Sequence, residues 1–247
     1  MAMDKQLFYG PTTLRTFCDC TVNGKPLAEY GGSSLLDYSI GETPVSPELF
    51  QGMNRTSWNL LENMFHMREI SITVIFEAHD LTEAKRNRSA LNGVLFNRAD
   101  IFIPDDGFHY DVICTSTGTE ELVGIGFNSA MIKSRYTFKG VRRDELKTVE
   151  VLPGASVFCA STMPFTDCRL TATVGATASS YRLGSAIFGN VTAGDVLVFD
   201  GIDGKITKNG DNYAASVSWF HFPQLTPGEN EITCPDAVTV EYYPTYI

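Results

Sequence analysis

Long apolar runs, dense charge and the short signatures of phosphate, dinucleotide or metal chemistry are all missing from this sequence, and each gap removes a class of function. No segment approaches the roughly 20 apolar residues of a membrane-spanning helix, so no membrane partner is expected. Charged residues make up 19% of the chain, below the average of about a quarter, which argues against a long disordered tail. The charge present is acidic, with a formal net value of −10 at pH 7. Such a surface repels phosphate backbones, and sequence-specific nucleic-acid binding is not expected. There is no G-x-S-x-G elbow, no H-E-x-x-H, no P-loop and no G-x-G-x-x-G. The opening residues, MAMDKQLFYGP, hold no apolar core of signal-peptide length, so the expectation is a chain made and folded in the cytoplasm.

Only four histidines are present, His66, His79, His109 and His221. His79 precedes Asp80 at a strand end, and His109 follows Asp105 and Asp106 in a turn, so either could serve as a base; their neighbours explain them equally well as structural or surface residues. The six cysteines, Cys18, Cys20, Cys114, Cys159, Cys168 and Cys234, are scattered through a chain large enough to need no disulfide framework. Buried thiols are expected. Cys18 and Cys20 have one intervening residue, not the two of a zinc knuckle, and no second pair follows. Asp200 and Asp203 in DGIDG lack the further oxygen ligands of a calcium loop and read as a turn. Asn54, Asn87 and Asn190 fit the glycosylation acceptor pattern, which means little without a secretion signal. No catalytic, cofactor-binding or metal-binding residue is assigned, and no cofactor is implied.

What the chain does contain is 43% hydrophobic and 11% aromatic residues in short, alternating segments. In EISITVIFEAHD, Ile70, Ile72, Val74 and Phe76 fall two apart, the period of a strand with one buried face. Asp80 followed by Glu83 has the form of a helix start, and Leu81, Ala84, Leu91 and Leu95 recur on one face, predicting a helix near 81–96. Arg88 falls on the same stripe. It reads either as an arginine that keeps its head in water or as a charge paired with a neighbouring subunit. PDDG at 104–107 predicts a hairpin. The stretch from Pro44 to Met67 is open between a short helix, using Trp58, Leu60, Leu61, Met64 and Phe65, and a long excursion against the sheet.

The charged segment GVRRDELKTVEVLPGAS places a domain boundary near 146, giving a first domain over 1–145 and a second over 146–247. The second half reads as all β: DCRLTATVG, GDVLVFDG, YAASVSWFHFP and AVTVEYYP are strand-length runs divided by turn residues, as in sandwiches and jelly rolls. Asn209 and Gly210 supply a tight reversal. In the strand predicted after it, Ala215, Val217, Trp219, His221 and Pro223 alternate with Ser216, Ser218, Phe220 and Phe222, so both faces carry aromatics. Such a strand is sandwiched between sheets or covered by a partner. The fold class is mainly β, with a helix in the first half and a sandwich-like second half.

In two places, in the same order, the chain resembles the distal tail proteins of long-tailed (siphovirus-type) bacteriophages. The first runs from REISITVIFEAHDLTEAKRNRSALNGVLF through IFIPDDGFHYDVICTSTGTEELVGIGFNSAMIKSRYTFKG. The second is GDVLVFDGIDGKITKNGDNYAASVSWFHFPQLTPGENEIT with the closing VTVEYYPTY. Asp200, Asn209, Gly210, Phe222, Pro223, Leu225, Pro227, Gly228, Asn230 and Ile232 occupy the positions of that family's turn and Pro-Gly pattern, and none is catalytic. No pattern aligns over Pro44–Met67 or Phe158–Thr171.

The resemblance implies two β-sandwich domains: a ring-forming first one that carries a helix, hexameric around a channel for DNA, and an outward second one of galectin-like, jelly-roll-like shape. It implies a structural virion protein at the tail tip, assembled in the host cytoplasm. Its partners would be copies of itself, the tail tube protein, the tail-tip or baseplate hub protein and, at the rim, receptor-binding proteins. It does not say which residues form the ring interface. The alternative is a carbohydrate-binding module of galectin-like type presenting Trp219, Tyr213, Tyr242 or Tyr243. A third reading, a wall hydrolase using Asp105, Asp106 and His109, meets the difficulty that adjacent acids in a turn lack the opposed geometry of glycoside cleavage.

Overall fold

A computed structural model describes residues 20–31, 33–51 and 58–247, with backbone alone for 51, 58, 59, 61 and 62. Cys18, Asn54 and the opening segment lie outside the described residues. The chain divides into two compact units, the first ending at Arg142 and the second running from Arg143 to Ile247. Both are built mainly from antiparallel strands, as the sequence predicts.

In the first unit the central strand, Arg68–Ala78, carries Ile70, Ile72, Val74 and Phe76 on one face, all fully buried. It pairs along its whole length with Ser129–Arg143, from Ala130 opposite Ala78 to Gly140 opposite Arg68. Ser33–Ile40 forms one sheet edge beside it; on the other side follow Phe108–Thr117, Ala99–Ile103, Thr21–Val22 and Lys25–Pro26. The hairpin read from PDDG joins Ala99–Ile103 to Phe108–Thr117, with Gly107 at φ 77°.

The helix Leu81–Leu95 covers the apolar face through Ala84, Leu91 and Leu95. Its start is a reciprocal cap: Glu83 N donates to Asp80 Oδ1 at 2.8 Å, satisfying one of the helix's orphan donors, and His79 N, just before the cap, donates to Glu83 Oε2 at 2.9 Å. Tyr136 Oη donates to Asn92 Oδ1 at 2.8 Å and fastens the helix to the sheet.

In the second unit two β layers enclose one core. The larger sheet runs Lys147–Val151, Val238–Tyr242, Thr166–Thr173, Val196–Asp200, Lys205–Lys208, Asp211–Asn212. Facing it, Ala178–Leu183 pairs with Ala186–Val191, which pairs with Val217–Ser218. Leu170, Leu197, Phe199 and Val240 from the first layer meet Tyr181, Leu183 and Phe188 from the second in one buried cluster. Asn209 and Gly210 turn the chain at φ 54° and 89°, the left-handed pair a two-residue reversal requires.

Two readings of the sequence are corrected here. The run YAASVSWFHFP is not one strand. Asn212 Oδ1 accepts from Ala214 N at 3.1 Å, the chain winds into a 3-10 turn over Ala214–Ser216, and only Val217–Ser218 pairs with a neighbour. Trp219 and Phe222 then converge on the same ring, Phe199, with centroids 6.5 and 5.8 Å away, while Phe220 is 97% exposed. The stretch from Pro44 to Met67 is neither a helix nor a layer on the sheet: Val45–Gln51 and Trp58–Phe65 form a hairpin that pairs with no other strand among the described residues.

Candidate assembly surfaces

The groups from which an enzyme site might have been built are not brought together. His109 Nδ1 lies 2.8 Å from Asp100 Oδ2, and its ring packs on Phe102. Asp106 instead receives the Tyr110 hydroxyl and stands 3.6 Å from Arg142. Burial, reinforced by that bond, pushes the Tyr110 phenol up to about 12. His79 Nδ1 contacts the Asn128 carbonyl at 3.0 Å and His66 Nε2 contacts Ser46 Oγ at 3.0 Å. Asp200 accepts from Ile202 N and Asp203 N and holds Arg169 at 2.8 Å, so DGIDG is a turn closed by its own carboxylate. Among the described residues no group of three or more His, Cys, Asp or Glu could hold a metal ion. Of the described cysteines, Cys20, Cys159, Cys168 and Cys234 are buried, and burial pushes the Cys168 thiol up to about 12.

The aromatics read as a sugar platform are occupied otherwise. Tyr242 is buried and donates to the Phe158 carbonyl at 2.9 Å; Tyr213 stacks on Phe188 and donates to the Gly189 carbonyl at 2.7 Å. Tyr243 lies under the Arg143 guanidinium at 3.9 Å. Trp219 belongs to the Phe199 cluster.

Arg88 is engaged within its own unit. Its Nη1 lies 3.5 Å from Glu120 and its Nη2 3.4 Å from the Gly118 carbonyl, so it anchors a loop of its own unit, while its Nε is buried without a partner. Lys85 adds a second contact to Glu120 at 3.4 Å.

What the first unit leaves uncovered is apolar and sits at the two ends of the central strand. At the Arg68 end, where Gly41 N donates to Glu69 O at 2.8 Å, the hairpin 45–65 projects Val45, Leu49, Phe50, Leu60 and Met64, all 44% exposed or more. An isolated two-stranded hairpin is marginal in water, and one that also exposes apolar side chains needs cover. At the Ala78 end a second hairpin rises: Glu121–Gly126 folds back on Ser129–Arg143 through Phe127 and Asn128, the latter at φ 61°. Leu122, Val123 and Ile125 are exposed and Phe127 is 98% exposed. Its flanking acids are neutralised within the chain, Glu120 by Lys85 and Arg88 and Glu121 by Lys133 at 2.8 Å, so 122–128 is an uncharged tip. At about 3.3 Å per residue the strand Arg68–Ala78 spans roughly 35 Å, which sets the separation of the two surfaces. Sequence reasoning located neither surface; the absence of charge from Leu122 to Ile132 was the available signal.

In the second unit the residues shared with the distal tail pattern are fold-makers. Asn230 Oδ1 accepts from Thr226 N and Oγ1 at 2.8 and 3.0 Å, and its Nδ2 donates to the Thr226 and Gly228 carbonyls at 2.7 and 2.9 Å. Gly228 sits at φ 94°, and Leu225 is fully buried.

Residues 161–246 match the family model of the siphovirus-type tail component, C-terminal domain. In fold the chain is similar to the crystal structure of the Dit protein of phage SPP1, described as a paradigm of the hub adsorption apparatus in phages infecting Gram-positive hosts. That match has a TM-score of 0.64 at 15% identity and covers 93% of this chain and 99% of that one. Two structures of the phage P2 baseplate in its activated conformation, one with Ca and one with Sr, are more remote. Both are 9% identical, with TM-scores of 0.49 and 0.48; they cover 86% and 85% of this chain and 90% of theirs. No curated protein matches this chain. The family match, with the likeness of fold beside it, bears out the resemblance to distal tail proteins.

Proposed function

We propose that this chain is a structural component of a phage tail tip, a hub that assembles with copies of itself through its first unit. The observation that carries self-assembly is the pair of uncovered apolar hairpins at opposite ends of the strand Arg68–Ala78. Two different apolar patches on one protomer suit a head-to-tail contact, in which the patch at one end of a copy meets the patch at the other end of the next. Such contacts close into a ring when the rotation between copies divides a full turn.

The finer reading follows the resemblance: six copies around a channel, the tail tube protein on one side, the hub protein of the tip or baseplate on the other, and receptor-binding proteins at the rim. The family match over 161–246 supports placement at the virion tail tip. A net charge of −10 suits a channel that passes DNA without gripping it, because an acidic surface releases no phosphate counterions. The function needs no bond to be made or broken.

Sedimentation velocity of the purified chain over a wide concentration range tests self-assembly. The expected result is a discrete species several times the mass of one chain. A single monomeric boundary at every concentration, with tail-tip partners present, would contradict it.

A further inference from the structure

Arg68 opens the central strand in the same alternate set as Ile70, Ile72, Val74 and Phe76, and like them it is buried, at 3% exposed. A charge at the end of an apolar stripe is costly, and arginine is almost never buried so far without partners. Desolvation holds the Arg68 guanidinium below its ordinary pKa, and the positive charge of Arg142 pushes it further the same way. An isoleucine would have continued the stripe without either penalty.

The surroundings offset part of that cost. Asp106, Tyr110 and Glu42 favour the charged form of Arg68. Arg142 is itself held: it lies over the Phe108 ring at 4.6 Å, its Nε donates to Tyr110 Oη at 3.2 Å, and its Nη2 stands 3.6 Å from Asp106, which also receives the Tyr110 hydroxyl. From this cluster Arg68 reaches outward, its Nη2 donating to Thr43 Oγ1 at 2.7 Å. Thr43 lies two residues before the first strand of the hairpin 45–65. The bonds from Gly41 N to Glu69 O at 2.8 Å and from His66 N to Pro44 O at 2.9 Å join backbone to backbone at the same root; the bond from Arg68 ties that root to a side chain of the core.

A guanidinium is a planar, fixed fork, so a charge-assisted bond from a buried one is directional and sets where its acceptor sits. We infer that Arg68 is a positioning residue: held in the core, it aims the hairpin 45–65 through Thr43 and so presents Leu49 and Leu60 to the next copy. The second half of this inference rests on the self-assembly proposed above, whereas the aim of the hairpin is a property of the single chain.

Amide hydrogen exchange and sedimentation of Thr43→Val, Thr43→Ser and Arg68→Met in the full chain test it. Valine keeps the shape of threonine and removes the acceptor, while serine keeps the acceptor. Methionine fills the place of Arg68 without a charge, and Asp106 retains Tyr110 and Arg142 as partners. In dilute, monomeric chain, the amides of 45–51 and 58–65 should exchange at least about tenfold faster in Thr43→Val and Arg68→Met than in the wild type or Thr43→Ser, with those of 70–76 unchanged in Arg68→Met. Self-association of the same two variants should weaken while Thr43→Ser assembles as the wild type does. Equal exchange of the hairpin in all four proteins overturns the inference. A rise shared equally by 70–76 in both variants overturns it too, since Arg68 then serves stability alone, and so does faster exchange with undiminished assembly. A wild-type chain that never assembles contradicts self-assembly instead, and the exchange comparison still decides whether Arg68 aims the hairpin.

Discussion

Leu49 and Leu60 stand opposite each other across the hairpin 45–65, and they remain 51% and 49% exposed. A cross-strand leucine pair normally stabilises a sheet by sharing cover from a third element. Here no strand among the described residues pairs with the hairpin, so the pair is available to another copy.

The double variant Leu49→Asp, Leu60→Asp should therefore abolish the oligomer while leaving the first unit folded. Both side chains lie outside the buried cluster built on Ile70, Ile72, Val74 and Phe76, and surface changes of this kind shift stability by about 0.5 kcal/mol or less. Sedimentation reads the loss of assembly; a urea titration of the resulting monomer reads the unchanged core.

Phe127→Ser should act in the same way from the other end of the strand. A side chain 98% exposed contributes nothing to the monomer's core. If the contact is head-to-tail, each variant keeps one intact surface, and mixing Phe127→Ser with the double aspartate variant should give a dimer and nothing larger. A contact between two identical hairpins would instead let one of the variants pair with itself, so a dimer would form before any mixing.

Acid should loosen the second unit through Asp195. Hydrogen bonds from Lys208, from the Thr192 amide and from Asn209 hold its carboxyl at about 2, below the ordinary 3.8. A carboxyl depressed in the folded state contributes stability above its unfolded value and loses it as the pH falls through the folded one. The loss should run from near pH 4 down towards 2, and Asp195→Asn should flatten that part of a stability-against-pH curve. Melting curves of the two proteins between pH 2 and 6 check it.

Asn230→Ala removes both ends of the latch over Thr226 and Gly228. Four hydrogen bonds are lost and the Thr226 amide is left without its partner, so a destabilisation of about 1–3 kcal/mol is expected. The urea midpoint of the chain, followed by Trp219 fluorescence, measures it.

The sequence was easiest to read where a segment packs against its own core. Ile70 to Phe76 alternate because one face of the strand is buried by the helix, and Asp80 with Glu83 marks that helix because its free amides need those oxygens. The hairpin 45–65 was illegible for the opposite reason: Val45, Leu49, Phe50, Leu60 and Met64 are exposed and belong to no buried cluster of the chain, so no core imposes a period of two or of 3.6. At 213–223 the alternating aromatics imitate a strand, but Asn212 turns the backbone into a 3-10 turn, and Trp219 and Phe222 reach Phe199 from an irregular segment. The contact of Arg88 with Glu120 was illegible because Glu120 lies 32 positions away in a loop with no pattern of its own.

Electron micrographs of the purified chain test the central claim most directly. Particles should be closed rings with an open centre, and two-dimensional averages should show a discrete rotational symmetry with the same small globular unit repeated at the periphery. A field of single particles, or of open filaments of varying length, at concentrations where the wild-type chain is fully folded, would contradict a ring built from the two apolar hairpins.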